Sequence, residues 1–242
     1  MIISYIDPSI YDKIFEDFSE EDSNYIEEIL NRNISRSNKV LKGIDIGCGT
    51  GRIGRILSKK FYIIGLDIDI NMLRIAKSRI DVICCEISQI PIRSRSIDFA
   101  YSWLATLNYL NYVKLREHMK EINRILRERS TYIIDMVLES YDKDHYEELW
   151  NFNYNSKRCI FNYSVRRLER GMWLETFRII CDDLYMEKSF ITYVYSYQLF
   201  KNVVNDYFNI MIYRPFTFNK ISRPAGRCII VLKKRRAGET VL

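Results

Sequence analysis

Residues 43–51 read Gly-Ile-Asp-Ile-Gly-Cys-Gly-Thr-Gly, and the fold turns on this stretch. An apolar run from Val40 to Ile46 leads into Gly47, Gly49 and Gly51, and Ile53, Ile56 and Leu57 follow at i, i+3, i+4 spacing. That is a strand, a glycine turn and a helix. Such a turn lets backbone N–H groups and a helix start come close to a polar ligand. Gly49-Thr-Gly-Arg-Ile-Gly54 also satisfies the dinucleotide pattern G-x-G-x-x-G, so the loop alone leaves more than one nucleotide open.

The same alternation extends on both sides. Residues 9–30 predict an amphipathic helix, with Ile10, Ile14, Phe18, Tyr25, Ile26 and Ile29 on one face. Tyr62 to Leu66 predicts a second strand ending at Asp67, and Asn71 a helix cap before Met72, Ile75 and Ala76. Asp81 to Cys85 predicts a third strand ending at Glu86, and Ile97 to Ser102 a fourth. Leu115, Met119, Ile122 and Leu126 form a helix face before a fifth strand, Thr131 to Val137. Strands and helices alternating in this way imply a parallel sheet covered on both faces.

Residues 141–195 break the rhythm. Arg158 to Leu168, Met172 to Cys181 and Leu184 to Tyr195 alternate with period two, and Arg170-Gly171 and Asp182-Asp183 stand at the junctions as turns. This predicts a three-stranded antiparallel insertion over about residues 139–195. A helix (Leu199, Val203, Tyr207), a strand (Phe208 to Tyr213) and a last buried strand (Cys228 to Leu232) resume the earlier pattern.

Composition narrows the class. The 242 residues are 48% hydrophobic and 28% charged, as expected of one globular domain with a substantial core. Apolar runs fall well short of the roughly 18 residues that predict a membrane span, and the acidic N-terminus does not read as a secretory leader, so a cytoplasmic location is expected. The net charge of +6 is uneven, since residues 1–30 carry nine acids and one base. The Lys233-Lys-Arg-Arg236 run reads first as a solvated tail and second as a phosphate contact. Six cysteines without a C-x-x-C pair, and only two histidines, argue against a metal site and for buried free thiols in a reducing compartment.

Further residues separate the nucleotide readings. Asp45 lies inside the first strand, Asp67 ends the second, where a carboxylate can accept both ribose hydroxyls, and Glu86 ends the third, five residues before Pro91. With Gly65-Leu-Asp-Ile-Asp-Ile-Asn-Met-Leu73, Glu86-Ile-Ser-Gln-Ile-Pro-Ile92, Ser96-Ile-Asp-Phe99 and Glu121-Ile-Asn-Arg-Ile-Leu126, the chain resembles the class I S-adenosylmethionine (SAM) dependent methyltransferases. The resemblance implies an α/β, doubly wound, seven-stranded Rossmann-like sheet with its last strand antiparallel, the insertion serving as a lid and residues 1–38 as a helical cap. It implies SAM as methyl donor and S-adenosylhomocysteine as product.

By the same resemblance, Asp45 and the loop Gly47, Cys48, Gly49 and Gly51 face the methionine part of SAM. Asp67 holds the ribose, Ile68 and Met72 line the adenine, and Glu86 with the backbone of Ile87 meets the adenine amino group. Many relatives carry Asp where Glu86 stands. Tyr11 of the cap and Ser102 at the end of the fourth strand complete the expected donor contacts. Arg127-Glu-Arg-Ser130 replaces the family's common Gly-Gly turn.

Methyl transfer in line from a sulfonium needs positioning and a dry site more than a dedicated base. The weak catalytic candidates are Tyr101, Trp103 and Asn108, which follow the fourth strand, and His145 in the insertion; His118 reads as a half-exposed packing residue. Ser102-Trp-Leu-Ala105 lacks the prolines, and the chain lacks the Pro-Cys pair, of relatives that methylate nucleic acid bases. Residues 141–218 hold 20 of the 33 aromatic residues, and Arg158, Arg166, Arg167 and Arg170 add charge there. Most of these rings serve packing and β-propensity. The expected acceptor is an oxygen or nitrogen atom of a small molecule. An RNA methyltransferase, supported by the basic lid and tail, and a non-catalytic SAM-binding module are the rivals, with an NAD-dependent oxidoreductase behind them.

Overall fold

The computed structural model describes residues 6–34, 39–139, 144–182, 184–222, 224 and 226–236. Tyr5, Asp142 and Asp183 lie outside them. The cap is two helices, α1 (Pro8–Phe15) and α2 (Ser19–Asn33), where the sequence pattern predicts one. A 3-10 turn at Glu16–Phe18 separates them. Asp7 starts α1 by accepting the backbone N–H groups of Ser9 and Ile10.

The body alternates as expected: β1 (Lys42–Ile46), α3 (Arg52–Leu57), β2 (Tyr62–Asp67), α4 (Ile70–Ala76), β3 (Asp81–Cys84), β4 (Ile97–Ser102), α5 (Tyr112–Ile125) and β5 (Leu126–Leu138). Asp69, not Asn71, caps α4, its carboxylate accepting the Asn71 N–H at 2.8 Å. After the insertion come α6 (Tyr197–Val204), β10 (Phe208–Tyr213) and β11 (Gly226–Lys234). Sheet order is β10-β11-β5-β4-β1-β2-β3, all parallel except β11, which runs antiparallel to both its neighbours. In place of a Gly-Gly turn, Arg129 takes φ +64°, and the β4–β5 register shifts there.

Helices cover both faces. Ile26, Ile29 and Leu30 of α2 pack with Ile53 and Leu57 of α3 on one side, and Leu115, Met119 and Ile122 of α5 with Phe200 and Val204 of α6 on the other. The order of strands reverses between β1 and β4. That is the switch point at which an open α/β sheet leaves a crevice for a ligand.

The insertion is four-stranded, not three-stranded: β6 (His145–Tyr154), β7 (Lys157–Glu169), β8 (Met172–Cys181) and β9 (Leu184–Tyr193), in that order and all antiparallel. Its inner face carries Trp150, Phe161, Tyr163, Phe177 and Phe190. Phe161, Phe177 and Ile179 join Ile6, Ile10 and Met72 in one buried cluster, so the lid, the cap and α4 share a core. Cys159 and Cys181 stand opposite each other across β7 and β8 and form a disulfide. This corrects the expectation of free thiols throughout and removes the argument from cysteine usage to a reducing compartment; Cys48, Cys84, Cys85 and Cys228 are free.

The basic run is also corrected. Lys233 and Lys234 belong to β11, and their ammonium groups donate to the backbone carbonyls of Asn33, Asn123 and Leu126. Among the described residues no helix is long and apolar enough to cross a membrane.

Candidate donor and acceptor site

Gly47, Gly49 and Gly51 all take positive φ (+70°, +52° and +74°), a region that residues with a Cβ avoid. Gly47 has a second constraint: a Cβ there would run into Thr106, in the 3-10 turn Thr106–Tyr109 that follows β4. The loop N–H groups are turned inward. Those of Gly47 and Cys48 donate to the Leu66 carbonyl (2.8 and 3.0 Å), Gly51 to the Cys48 carbonyl (2.8 Å), and Gly49 to Asp67 Oδ2 (2.8 Å). The loop therefore offers close approach rather than a row of free donors.

Asp67 ends β2 beside this loop. Its Oδ1 accepts the Asp69 N–H at 2.9 Å, so each oxygen keeps capacity for a further donor. Burial pushes its carboxyl above the usual range, against the backbone N–H groups of Asp69 and Gly49 that hold it down. Ile68 next to it is 54% exposed, an apolar side chain left in solvent at the mouth of the crevice. Asp45 is 3% exposed and pairs with no Lys or Arg among the described residues. Burial raises its carboxyl to about 7, with Tyr101 and Arg52 opposing and Asp67 adding to the rise.

The cap closes on the loop. The Tyr11 ring lies against Gly49 and 4.8 Å from the Phe15 ring. Asp12 accepts from the Thr50 hydroxyl and pairs with Arg79 at 2.6 Å, and Arg79 also donates to the Thr50 carbonyl at 3.1 Å. Arg52, buried just after the loop, donates to the Phe15 carbonyl (3.2 Å) and Ser19 Oγ (2.9 Å) and lies 3.8 Å from the Asp22 carboxylate.

The remaining expected donor contacts divide. Met72 is buried against the cap, and Cys48 is buried under the loop with its Sγ 3.6 Å from the Gly49 carbonyl. Glu86 is exposed and paired with Lys114 at 2.7 Å, which holds its carboxyl below the usual range. The Ile87 carbonyl accepts from His118 Nδ1 at 2.8 Å, while His118 Nε2 accepts from the Tyr132 hydroxyl at 2.8 Å. His118 is fully buried rather than half-exposed, and burial lowers it to about 4, so it is a neutral strut under the Ile87 backbone. Ser102 is fully buried.

The catalytic candidates fare differently. Tyr101 is fully buried beside Asp45, and Trp103 packs 6.3 Å from Tyr25. The Asn108 amide is fully engaged with the backbone: Nδ2 donates to the Val137 and Tyr193 carbonyls (3.0 and 2.6 Å), and Oδ1 accepts the Val137 N–H (3.0 Å). His145 lies on the lid's outer face, with its side chain 56% exposed and 3.8 Å from Glu147. The Tyr101 hydroxyl and Trp103 Nε1 are buried without a hydrogen-bond partner among the described residues, whereas Asn108 is spent on backbone and His145 lies on the far side of the lid.

Sequence reasoning passed over residues that the docking of the lid brings together. Tyr109, from the turn after β4, donates to Glu175 Oε2, and Tyr163 donates to Glu175 Oε1 at 2.9 Å. The available signal was the register of β8, where Trp173, Glu175, Phe177 and Ile179 share the inner face and one of the four is a carboxylate.

A glycine loop at the switch point of a doubly wound sheet, with an acid ending the next strand, defines a nucleotide-binding fold. Residues 44–129 match the Methyltransferase domain family. An uncharacterized protein of Methanocaldococcus jannaschii is 31% identical over 137 residues, covering 54% of this chain and 51% of that protein. The chain spans about half the length of the curated relatives it matches. A SAM-dependent methyltransferase from Clostridium acetobutylicum superposes with a TM-score of 0.76 over 94% of this chain and 97% of that one, at 19% identity. A SAM-bound amino pentose methyltransferase from Micromonospora echinaspora superposes with a TM-score of 0.78 over 93% and 96%, at 11% identity, a likeness of fold. Residues 44–129 are thus similar to a methyltransferase domain, and the chain shares the fold of solved SAM-dependent methyltransferases.

Proposed function

We propose that this protein transfers a methyl group from SAM to an oxygen or nitrogen atom of a small-molecule acceptor by direct in-line displacement, with cap, body and lid acting as one domain. The observation that carries the reading is the pair of acids, Asp45 and Asp67, at the carboxyl ends of adjacent parallel strands around a loop of three left-handed glycines. When bound, SAM supplies a methyl carbon made electrophilic by its sulfonium.

The residues fit that donor. Asp67 has lone pairs left for two ribose hydroxyls, and the exposed Ile68 awaits an apolar ring. Asp45 is a buried carboxyl in want of a cation, which the ammonium of the methionine moiety provides. Tyr11 and the Asp12–Thr50–Arg79 link hold the cap over Gly49 and exclude water. The lid's aromatic inner face covers the acceptor side.

An RNA acceptor has less support. The tail lysines are engaged with carbonyls, Arg167 lies on the opposite face of β7 from Arg166, and Arg178 on the Arg166 face is paired with Glu187.

Calorimetric titration with S-adenosylhomocysteine and separately with NAD, repeated on Asp67→Ala, tests the donor. Binding of the first ligand alone, with at least a tenfold loss in the variant, is expected. Binding of NAD, or of neither ligand, sinks the proposal. Donor binding without transfer to any acceptor pool would favour a non-catalytic module.

A further inference from the structure

We infer that a second ligand site, for a small organic anion with an apolar body, lies between the end of α2 and β10. None of its residues belongs to the donor crevice, so the site stands apart from the methyl-transfer reading.

A cavity of about 380 Å³ opens there, lined by Ile29 and Arg32 of α2, Met211 and Tyr213 of β10, and Phe218 and Lys220 of the segment that follows. Small-molecule sites run from roughly 300 to 1,000 Å³. Two cations and no carboxylate line this one. Lys220 is exposed, and its ammonium has neither an ion pair nor a hydrogen bond among the described residues. Arg32 pairs with Glu28 at 2.6 Å, but both side chains are half-exposed, so water screens the pair and the guanidinium keeps further N–H groups for a ligand. That guanidinium lies 3.6 Å over the Phe218 ring, which holds it beside the cavity. Lys233, donating to the Asn33 carbonyl at the end of the same helix, adds positive charge behind it.

Tyr213 points to a ligand independently of these charges. The residue is 9% exposed, and its hydroxyl donates to Met211 Sδ at 3.5 Å, a thioether that accepts only weakly. A buried hydroxyl gains from a better acceptor, and an anion is the strongest kind. Ile29, Met211 and Phe218 form the apolar wall beside it. A carboxylate or phosphate on an apolar body uses the two cations, the hydroxyl and the wall together. A bare inorganic ion gains nothing from the wall, and a neutral isostere gains nothing from the charges.

The test titrates the full chain at low ionic strength with benzoate, its uncharged isostere benzamide, phenyl phosphate and inorganic phosphate, following the Met211 methyl and Tyr213 ring signals by NMR. Benzoate or phenyl phosphate is expected to bind at least about fivefold more tightly than benzamide and inorganic phosphate, and the tighter of the two tells carboxylate from phosphate. Lys220→Gln and Tyr213→Phe, both close in shape to the wild type, are each expected to weaken that anion about threefold and to leave benzamide unchanged. Neither is expected to alter the affinity for S-adenosylhomocysteine, and a variant that loses that ligand too overturns the separation of the two sites. Equal binding of benzoate and benzamide, inorganic phosphate binding as tightly as phenyl phosphate, or no binding of either aromatic anion overturns the inference. So do Met211 and Tyr213 signals that stay still while an anion binds, and full anion binding by the combined Tyr213→Phe/Lys220→Gln variant.

Discussion

Replacing Asp45 with Asn is expected to stabilise the ligand-free protein at alkaline pH while weakening donor binding. The Asp45 carboxyl sits at about 7 in the folded chain, against 3.8 for an ordinary aspartate, chiefly because it is buried. Between those values the folded chain holds a proton that the unfolded chain has released. Stability therefore falls as pH rises through this window, by about 1.4 kcal/mol per pH unit from this one group. From pH 5 to pH 8 only the first two units count, since the group is ionised in both states above its folded value, so the penalty grows by about 3 kcal/mol. Asn carries no charge and escapes it. Urea denaturation of both chains at pH 5, 6.5 and 8 measures the difference, which is expected to move by about that amount in favour of Asp45→Asn. A difference that does not change with pH, or that turns against the variant on the alkaline side, refutes the reasoning. The ligand supplies a second readout. An ammonium beside Asp45 lowers its carboxyl again, so binding of S-adenosylhomocysteine near pH 7 is expected to release a proton, seen as a binding enthalpy that differs between phosphate and Tris buffers.

Three other outcomes are expected. Cys159→Ser/Cys181→Ser reopens a loop spanning a sequence separation of 22 and should destabilise the lid by about 3 kcal/mol, read as faster amide exchange in β7 and β8 than in β1 and β4. His118, lowered by burial to about 4 from 6.5, stays neutral until then; its contribution is complete above pH 6.5 and declines as pH falls to 4, by about 3 kcal/mol. Its ring resonances are expected to titrate near pH 4, and a midpoint above 6 would contradict the burial argument. Asp12→Ala cuts the cap from Thr50 and Arg79 and should weaken S-adenosylhomocysteine binding about tenfold in calorimetry with a smaller effect on Tm, since the link is only partly buried and joins the cap, not the sheet core.

What could be read from the sequence was what depends on local period and local turns. The strands β1 to β5 and the helices between them follow from apolar periodicity, and Gly47 to Gly51 announce their own backbone. Strand β6 escaped because it lies at the sheet edge and interrupts its aromatic alternation, Tyr146, Trp150, Phe152 and Tyr154, with Glu148. The Cys159–Cys181 pair escaped because it exists only once the β7–β8 register brings the two together. Asn108 illustrates the reverse error. A polar residue after β4 suggests an acceptor contact, yet its amide is spent on Val137 and Tyr193, partners 29 and 85 residues away. Tyr109 and Glu175, 66 residues apart, meet only through the docking of the lid.

That docking has a consequence for how the two halves of the site work together. Met72, which the proposed donor pose sets beside the adenine, shares a buried cluster with Ile6 and Ile10 of the cap and with Phe161, Phe177 and Ile179 of the lid. Phe177 in turn borders Tyr163, which holds Glu175. A donor that orders α4 and the cap therefore presses on the same apolar contacts that set the acceptor wall. Packed clusters of this kind transmit displacement because they have little free volume to absorb it. Donor and acceptor binding are then linked, and linkage is reciprocal: whatever factor S-adenosylhomocysteine adds to acceptor affinity, the acceptor must add to the affinity for S-adenosylhomocysteine. Measuring both factors in wild type and in Phe177→Leu closes the thermodynamic square. Equal factors in wild type, shrinking together in the variant, are what a shared cluster requires; a wild-type factor indistinguishable from one would mean that the two sites, though joined by packing, bind independently.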